Sequence, residues 1–283
     1  MAASLRPYIS QFDEAFAAGK TLEYRLTIQF TLGGFSYAIV DANSSTLIAM
    51  EAYLSDDLND ESDLAKALED VLSDNKLHGE TFKSVVCTLG SRTCALIPRE
   101  FCNANEALTS LGFLHHQQQD GRIWTDPIDA ADCVNIYSLS DSLHNTIQSL
   151  WCNATILHES SVFITSVLQH QEADSRVYVH VKNRNYDMAI VKEGKLLFFN
   201  NFKFNTKDDF LYFLLFAMEQ QGLKGEDTPV SFSGMIRANS EIIQLCERYL
   251  KHIEFTPNGN ALKVSKNLKD IPSQYYYIPY QVL

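Results

Sequence analysis

Side chains able to do chemistry are scattered along this chain. Its six cysteines are Cys87, Cys94, Cys102, Cys133, Cys152 and Cys246, and no two are spaced C-x-x-C. Dithiol and zinc chemistry need such close pairs, so these read as free thiols packing as small hydrophobes, as in SVVCTL and LWCNATIL. His115 and His116 are adjacent, which on a strand sends them to opposite faces, and no metal site is expected. Leu89-Gly90-Ser91 does not complete the G-x-S-x-G of a hydrolase elbow. His158-Glu159 lacks the second histidine of H-E-x-x-H. Lys263–Lys269 holds three lysines and is followed by Asp270, a solvated segment. What remains are glycine turns, Gly33–Gly34 and Ser233-Gly234-Met235, and the polar run from His180 to Asp187.

The elements that must position these residues follow from periodicity. Leu26, Ile28 and Phe30 alternate with polar neighbours in YRLTIQF, a strand signature. Gly33–Gly34 is a tight turn, FSYAIV a second strand, DANSS a turn and TLIAMEAY a third strand. Asp60–Asp63 opens a helix with Leu64, Leu68, Val71 and Leu72 on one face. FKSVVCTL and Cys94–Ile97 read as strands, and Pro98 as the start of a helix with Phe101, Ala104, Leu108 and Leu111. Residues 112–130 read as a loop with a hairpin near Asp120–Gly121, and residues 1–20 as a lead-in turn or helix. Strands at Cys133–Tyr137 and Asn153–His158 alternate with helices at Ser140–Trp151 and Ser160–His170. Strands alternating with helices imply parallel pairing.

The second half restarts the same way. RVYVHVK, DMAIV and KLLFFNNF form three strands, Thr206 is an N-cap candidate for the next helix, and PVSFS precedes Gly234. A helix over Ser240–Leu250, a short strand over His252–Phe255 and an irregular tail with Tyr275–Tyr277 complete the chain. Ala38-Ile39-Val40 and Ala189-Ile190-Val191 stand 151 positions apart, as do Leu26 and Val177. Matching element order at a fixed offset marks an internal duplication.

Bulk properties narrow the function classes. The 283 residues carry 23 Lys+Arg against 35 Asp+Glu, a net charge of −12, which disfavours nucleic acid and anionic membrane surfaces. The longest apolar run, FLYFLLFAM, is far short of the ~20 residues of a bilayer span. With no secretory leader at the N-terminus, the cytoplasm is the expected location.

The duplicated β-β-β-α-β-α layout resembles the actin-like ATPase (ribonuclease H-like) fold shared by actin, Hsp70 and sugar kinases. More narrowly, it resembles the branch of cell-division and pilus-assembly proteins. The fragments LTIQFTLGGFSYAIVD and VVCTLGSRTCALIPREF are similar to an uncharacterised Bacteroidetes family, domain of unknown function 3822. The resemblance implies an α/β chain of two lobes of mixed sheet plus helices. The first lobe would span 1–172, with a small insertion at about 92–130, and the second 173–283.

In active members of the resembled fold ATP lies between the lobes, held by two glycine hairpins with an Asp on each. On this implication the cleft candidates are Gly33, Gly34, Ser36, Lys182, Asp187 and Gly234. The match is eroded. Gln29, Thr31 and Leu32 stand where the first Asp belongs, His180, Lys182 and Asn183 replace Asp-x-Gly-Gly, and one glycine of the adenosine motif survives. Asp41 and Asp187 are the acids that would substitute under a shifted register, and Lys182 with Arg184 would be the groups to hold an anion. The expectation is a non-catalytic protein with a degenerate nucleotide site, no cofactor, and a protein partner engaged through the cleft, the insertion or the tyrosine-rich tail. The alternatives are an ATPase or kinase with a rearranged inter-lobe site, needing ATP and magnesium, and a cleft that binds a different small molecule.

Overall fold

In the computed structural model, residues 5–31, 33–58, 60–75, 77–90, 94–102, 122–170, 174–256, 263–268 and 271–282 are described. Strands β1 (Pro7–Phe12), β2 (Tyr24–Thr31), β3 (Gly34–Asp41), β4 (Thr46–Leu54) and β5 (Ser84–Leu89) build most of a first sheet. Strands β6 (Cys94–Pro98), β7 (Arg122–Ile128) and β8 (Cys133–Leu139) form a small sheet of their own, and β9 (Thr155–His158) returns to the first. The second large sheet holds β10 (Arg176–Val181), β11 (Asn185–Lys192), β12 (Lys195–Lys203), β13 (Val230–Gly234) and β14 (Ile253–Phe255). A last short strand, β15 (Lys263–Val264), crosses back to pair with β4.

The duplication is visible in the pairing. The first sheet runs β1-β4-β3-β2-β5-β9 and the second β12-β11-β10-β13-β14. Set β1 aside and the two orders are the same, three antiparallel strands followed by two parallel ones. Leu26 faces Ile39 in the first hairpin, and Val177 faces Ile190 in the second, each residue 151 positions on. The irregularity between Ile39 and Val40 recurs between Ile190 and Val191 at the same offset.

Helices are α1 (Glu61–Asp74), α2 (Asp141–Leu150), α3 (Glu159–Leu168), α4 (Lys207–Gln220), α5 (Glu241–Cys246) and α6 (Tyr277–Gln281). Asp60 caps α1 by accepting from the Ser62 and Asp63 amides, and Thr206 with Asp209 closes a capping box on α4. Leu26, Ile28 and Phe30 pack with Leu68 and Leu143 of α1 and α2, while Val177, Val179 and Val181 pack with Phe210 and Ile243 of α4 and α5. Strand alternation therefore turns Gln29 and Thr31, and likewise His180 and Lys182, to the other faces of their sheets. Helix α3 lies on that face of the second sheet, where Phe163 and Val167 meet Tyr178 and Ala189.

Four expectations are corrected. Residues 7–12 are a strand, not a lead-in turn or helix; β1 pairs antiparallel with β4, and its Ser10 hydroxyl donates to buried Glu51 at 2.5 Å. Residues 122–128 are a strand, not a loop. Pro127 is accommodated because β7 is an edge of its sheet, where a missing N–H is tolerated. Helix α5 stops at Cys246, short of Leu250. Residues 263–268 and 271–282 of the tail are regular rather than irregular, with β15, two 3-10 turns and α6, while the expected packing holds, Tyr276 and Tyr277 being buried. Of the expected helix after Pro98, Arg99–Phe101 form a 3-10 turn. Its Ala104, Leu108 and Leu111, the Asp120–Gly121 hairpin and the His115–His116 pair lie outside the described residues.

Candidate functional site

The turns of the two equivalent hairpins face each other across the cleft between the sheets. Gly33, at φ +76°, is placed so that a Cβ there would sit 3.7 Å from Asn183 Nδ2. That φ lies in the left-handed region, which favours glycine. Deeper in, the first residue of α3 comes between the hairpins. Glu159 is fully buried, and its Oε1 accepts from Gln29 Nε2 at 2.7 Å and from His180 Nε2 at 2.9 Å. Its Oε2 lies 3.3 Å from Lys182 Nζ, which lies 3.0 Å from Asp187 Oδ2. Asp187 also accepts from Ser160 Oγ at 3.1 Å and Asn201 Nδ2 at 2.6 Å. His180 Nδ1 is 2.9 Å from Ser233 Oγ.

Two carboxylates, one ammonium and one imidazole thus occupy a water-poor core. Burial pushes the Glu159 carboxyl up, but the Lys182 ammonium and the hydrogen bond from His180 outweigh it and hold it at about 2. The position of Glu159 in the first turn of α3 acts in the same direction, since helix N-termini favour negative charge. Burial pulls Lys182 down, and the charges of Asp187 and Glu159 more than reverse this, holding it above the ordinary lysine value. Nearby, burial pushes the Cys94 thiol up to about 12.

Residues 13–253 match the family model described as Protein of unknown function (DUF3822). The chain belongs to that family. Among curated proteins none matches it significantly. Of solved structures, a Bacteroides thetaiotaomicron protein with actin-like ATPase fold and unknown function aligns at TM-score 0.74. It is 17% identical, over 85% of this chain and 93% of that one. The PilM–PilN type IV pilus biogenesis complex contains a chain aligning at TM-score 0.58 and 10% identity, over 92% of this chain and 97% of that one. The duplicated sheets of this DUF3822 chain therefore have the actin-like ATPase fold.

Of the candidates from the sequence, Ser36, Lys182 and Gly234 line one cavity of about 30 Å³ at the cleft, together with Gln29, His180 and Tyr8. Gly33 forms the hairpin turn beside it, and Asp187 lies behind Lys182. Gly34 and Gly234 are required by close approach: a Cβ on either would meet a backbone oxygen, of Tyr53 and Val181 respectively, at 2.2 Å. Asp41 is corrected as a surrogate acid. It sits at the end of β3 away from Gly34, roughly 23 Å along the strand, where it accepts from the Asn43 and Ser44 amides. Lys182 and Arg184 do not converge as an anion site either. Lys182 turns inward to the carboxylates, and the exposed Arg184 lies 3.6 Å from Asp56.

The centre of the site escaped the sequence reading. In the sequence His158-Glu159 is only a fragment of a zinc motif, whereas in the structure Glu159 touches both hairpins, through Gln29 on one and His180 and Lys182 on the other. The alternation of Val177, Val179 and Val181 was the available signal for His180 and Lys182, since it turns both to the opposite face together.

A nucleotide with magnesium is what the resemblance implies for this cleft, and among the described residues Glu159 and Asp187 are the acids that would face it. They already share the Lys182 ammonium. Glu159, His180 and Ser233 are also connected like an acid–base–nucleophile relay. Ser233, however, is 1% exposed and does not line the cavity, and the adjoining Met235 amide donates to Val181 O at 2.7 Å. A substrate carbonyl has no approach to that hydroxyl.

Proposed function

We propose that this DUF3822 protein is a non-catalytic actin-like protein of the cytoplasm that works through protein–protein contacts. The observation that carries this reading is the placement of Lys182 Nζ between Glu159 and Asp187, at 3.3 and 3.0 Å. A divalent cation binds hard oxygen ligands, and here a covalently attached cation already has them. PilM, a neighbour of the same fold, occurs in a complex with PilN, which gives the reading a precedent. The outer face of α4 offers contact area: Tyr212 and Phe216, 61% and 47% exposed, stack at 5.9 Å. Aromatic residues of this kind are frequent at interface hot spots. The net charge of −12 argues against a nucleic-acid partner.

The test is thermal unfolding with ATP, ADP or GTP, with and without Mg²⁺. A ligand at 100 times its Kd adds ~2.7 kcal/mol, or a shift of a few degrees for a chain of this size. No shift is expected. A clear shift would favour the second reading, an ATPase or kinase with a rearranged site, for which the glycine conformation at Gly234 (φ +83°) and the cavity position of Ser36 speak. That reading also requires phosphate release that falls in Asp187→Ala.

A further inference from the structure

We infer that Glu159 is a built-in pin that holds the two lobes together at the cleft, so that closure needs no bound ligand. Glu159 directly follows β9, and so is anchored at the end of the first sheet. Gln29 of β2 orients its carboxylate at 2.7 Å. Gly90, after β5, makes room for it: a Cβ on Gly90 would lie 2.4 Å from Glu159 Oε2. From this seat both oxygens reach across to β10 and its turn, Oε1 to His180 and Oε2 to Lys182. The next residue repeats the crossing, Ser160 Oγ to Asp187 at 3.1 Å. The charged groups have little water to compete for them, Glu159 being 0%, His180 2% and Lys182 4% exposed. Exposed ion pairs exchange readily with water, whereas a buried pair left without its partner is strongly unfavourable.

The linkage is one-sided along α3. Beyond Glu159 this helix packs on the second sheet through Phe163 and Val167, and Ser166 shares a hydrogen bond with Tyr277 at 2.7 Å. Without the pin the lobes stay joined through α3 and through the tail, whose β15 pairs with β4 and whose Leu268 and Tyr276 pack on the first sheet, and they loosen at the hairpin ends. The inference concerns how the lobes are held, and it stands whether or not the protein has a partner.

The experiment is hydrogen exchange on the full chain in the absence of nucleotide, comparing wild type, Glu159→Gln and Glu159→Ala. Amides at 33–36 and 182–186 report the two hairpin turns, and amides within α1 and α4 serve as internal controls. The expected result for Glu159→Ala is at least about tenfold faster exchange at both turns with the controls unchanged, since one lost charge-assisted contact corresponds to about that factor. Glu159→Gln, which keeps hydrogen-bonding capacity and loses the charge facing Lys182, falls between. Loosening confined to the first turn of α3, or to one hairpin, overturns the inference. If Glu159→Ala does not fold, Gln29→Leu decides, because it unseats the carboxylate from the first sheet and leaves every charge in place. Faster exchange at 182–186, across the cleft from the substitution, supports the pin, and unchanged exchange there overturns it. No arm contains nucleotide, so this result and the nucleotide thermal shift fail independently.

Discussion

Gln29 and His180 stand 151 positions apart at the same register position of two copies of one hairpin, and both bond the same oxygen of Glu159, Oε1. Gln29 pairs across its hairpin with Ser36, and His180 pairs with Asp187. The pseudo-symmetry of the duplicated sheets brings these positions face to face, and the two copies carry different chemistry. The first offers neutral donors. The second offers an imidazole, an ammonium and a carboxylate. Glu159 joins the two sets.

Removing the cation should be costly. In Lys182→Met two buried carboxylates lose their shared ammonium, and a loss of about 3–5 kcal/mol is expected, as for other broken buried pairs. Adding Glu159→Gln should recover part of that loss, because one of the stranded charges is then gone. Urea midpoints of the wild type, the two single variants and the double variant measure the coupling.

Acid should weaken the fold through Glu159. Its carboxyl is held at about 2 in the folded protein, against an ordinary value of 4.5. A lowered folded value means the stabilisation is fully present above about 4.5 and is lost as pH falls toward 2. Stability measured from pH 6 down to 2 should fall less steeply in Glu159→Gln than in the wild type. Identical slopes would contradict the assignment.

Gly90→Ala tests the seat of the pin without touching a charge. The new Cβ would meet Glu159 Oε2 at 2.4 Å and Phe30 O at 3.0 Å, and the second contact is backbone. Overpacking of this kind costs about 1–3 kcal/mol. A thermal midpoint equal to wild type would show that Glu159 has another position available.

Tyr277→Phe should cost about 1 kcal/mol through loss of the hydrogen bond to Ser166. Ser166→Ala should cost more, since it also removes the donation from Ser166 Oγ to Phe163 O at 2.7 Å, and the double variant little more than Ser166→Ala. Full additivity in denaturant unfolding would separate the two groups energetically and show that the tail is held by its apolar contacts with α3.

Much of the fold could be read locally. Asp60 and Thr206 cap their helices because a short polar side chain beside an apolar-periodic run has few better uses. The meander over β2, β3 and β4 follows from alternation and turn residues close in sequence. The repeat at 151 residues survives down to the recurring bulge. Strands β1 and β7 were missed because their partners decide them: β1 forms on the edge offered by β4, and β7 keeps Pro127 because it is an edge strand. Of the residues at the cleft, Lys182, Asp187, Ser36 and the glycines are the ones the resemblance points to. Glu159 is not among them, since Gln29 lies 130 residues away from it in sequence.

Sequence alone therefore determined most of the elements and their duplication, and its valine alternation carries the face on which His180 and Lys182 lie. Those depend on periodicity and backbone preference, which act over a few residues. Only the tertiary structure decided that Glu159 and Asp187 would share one ammonium. The strength of a charge pair depends on distance and on the exclusion of water, and both exist only after the two sheets have been brought together around α3.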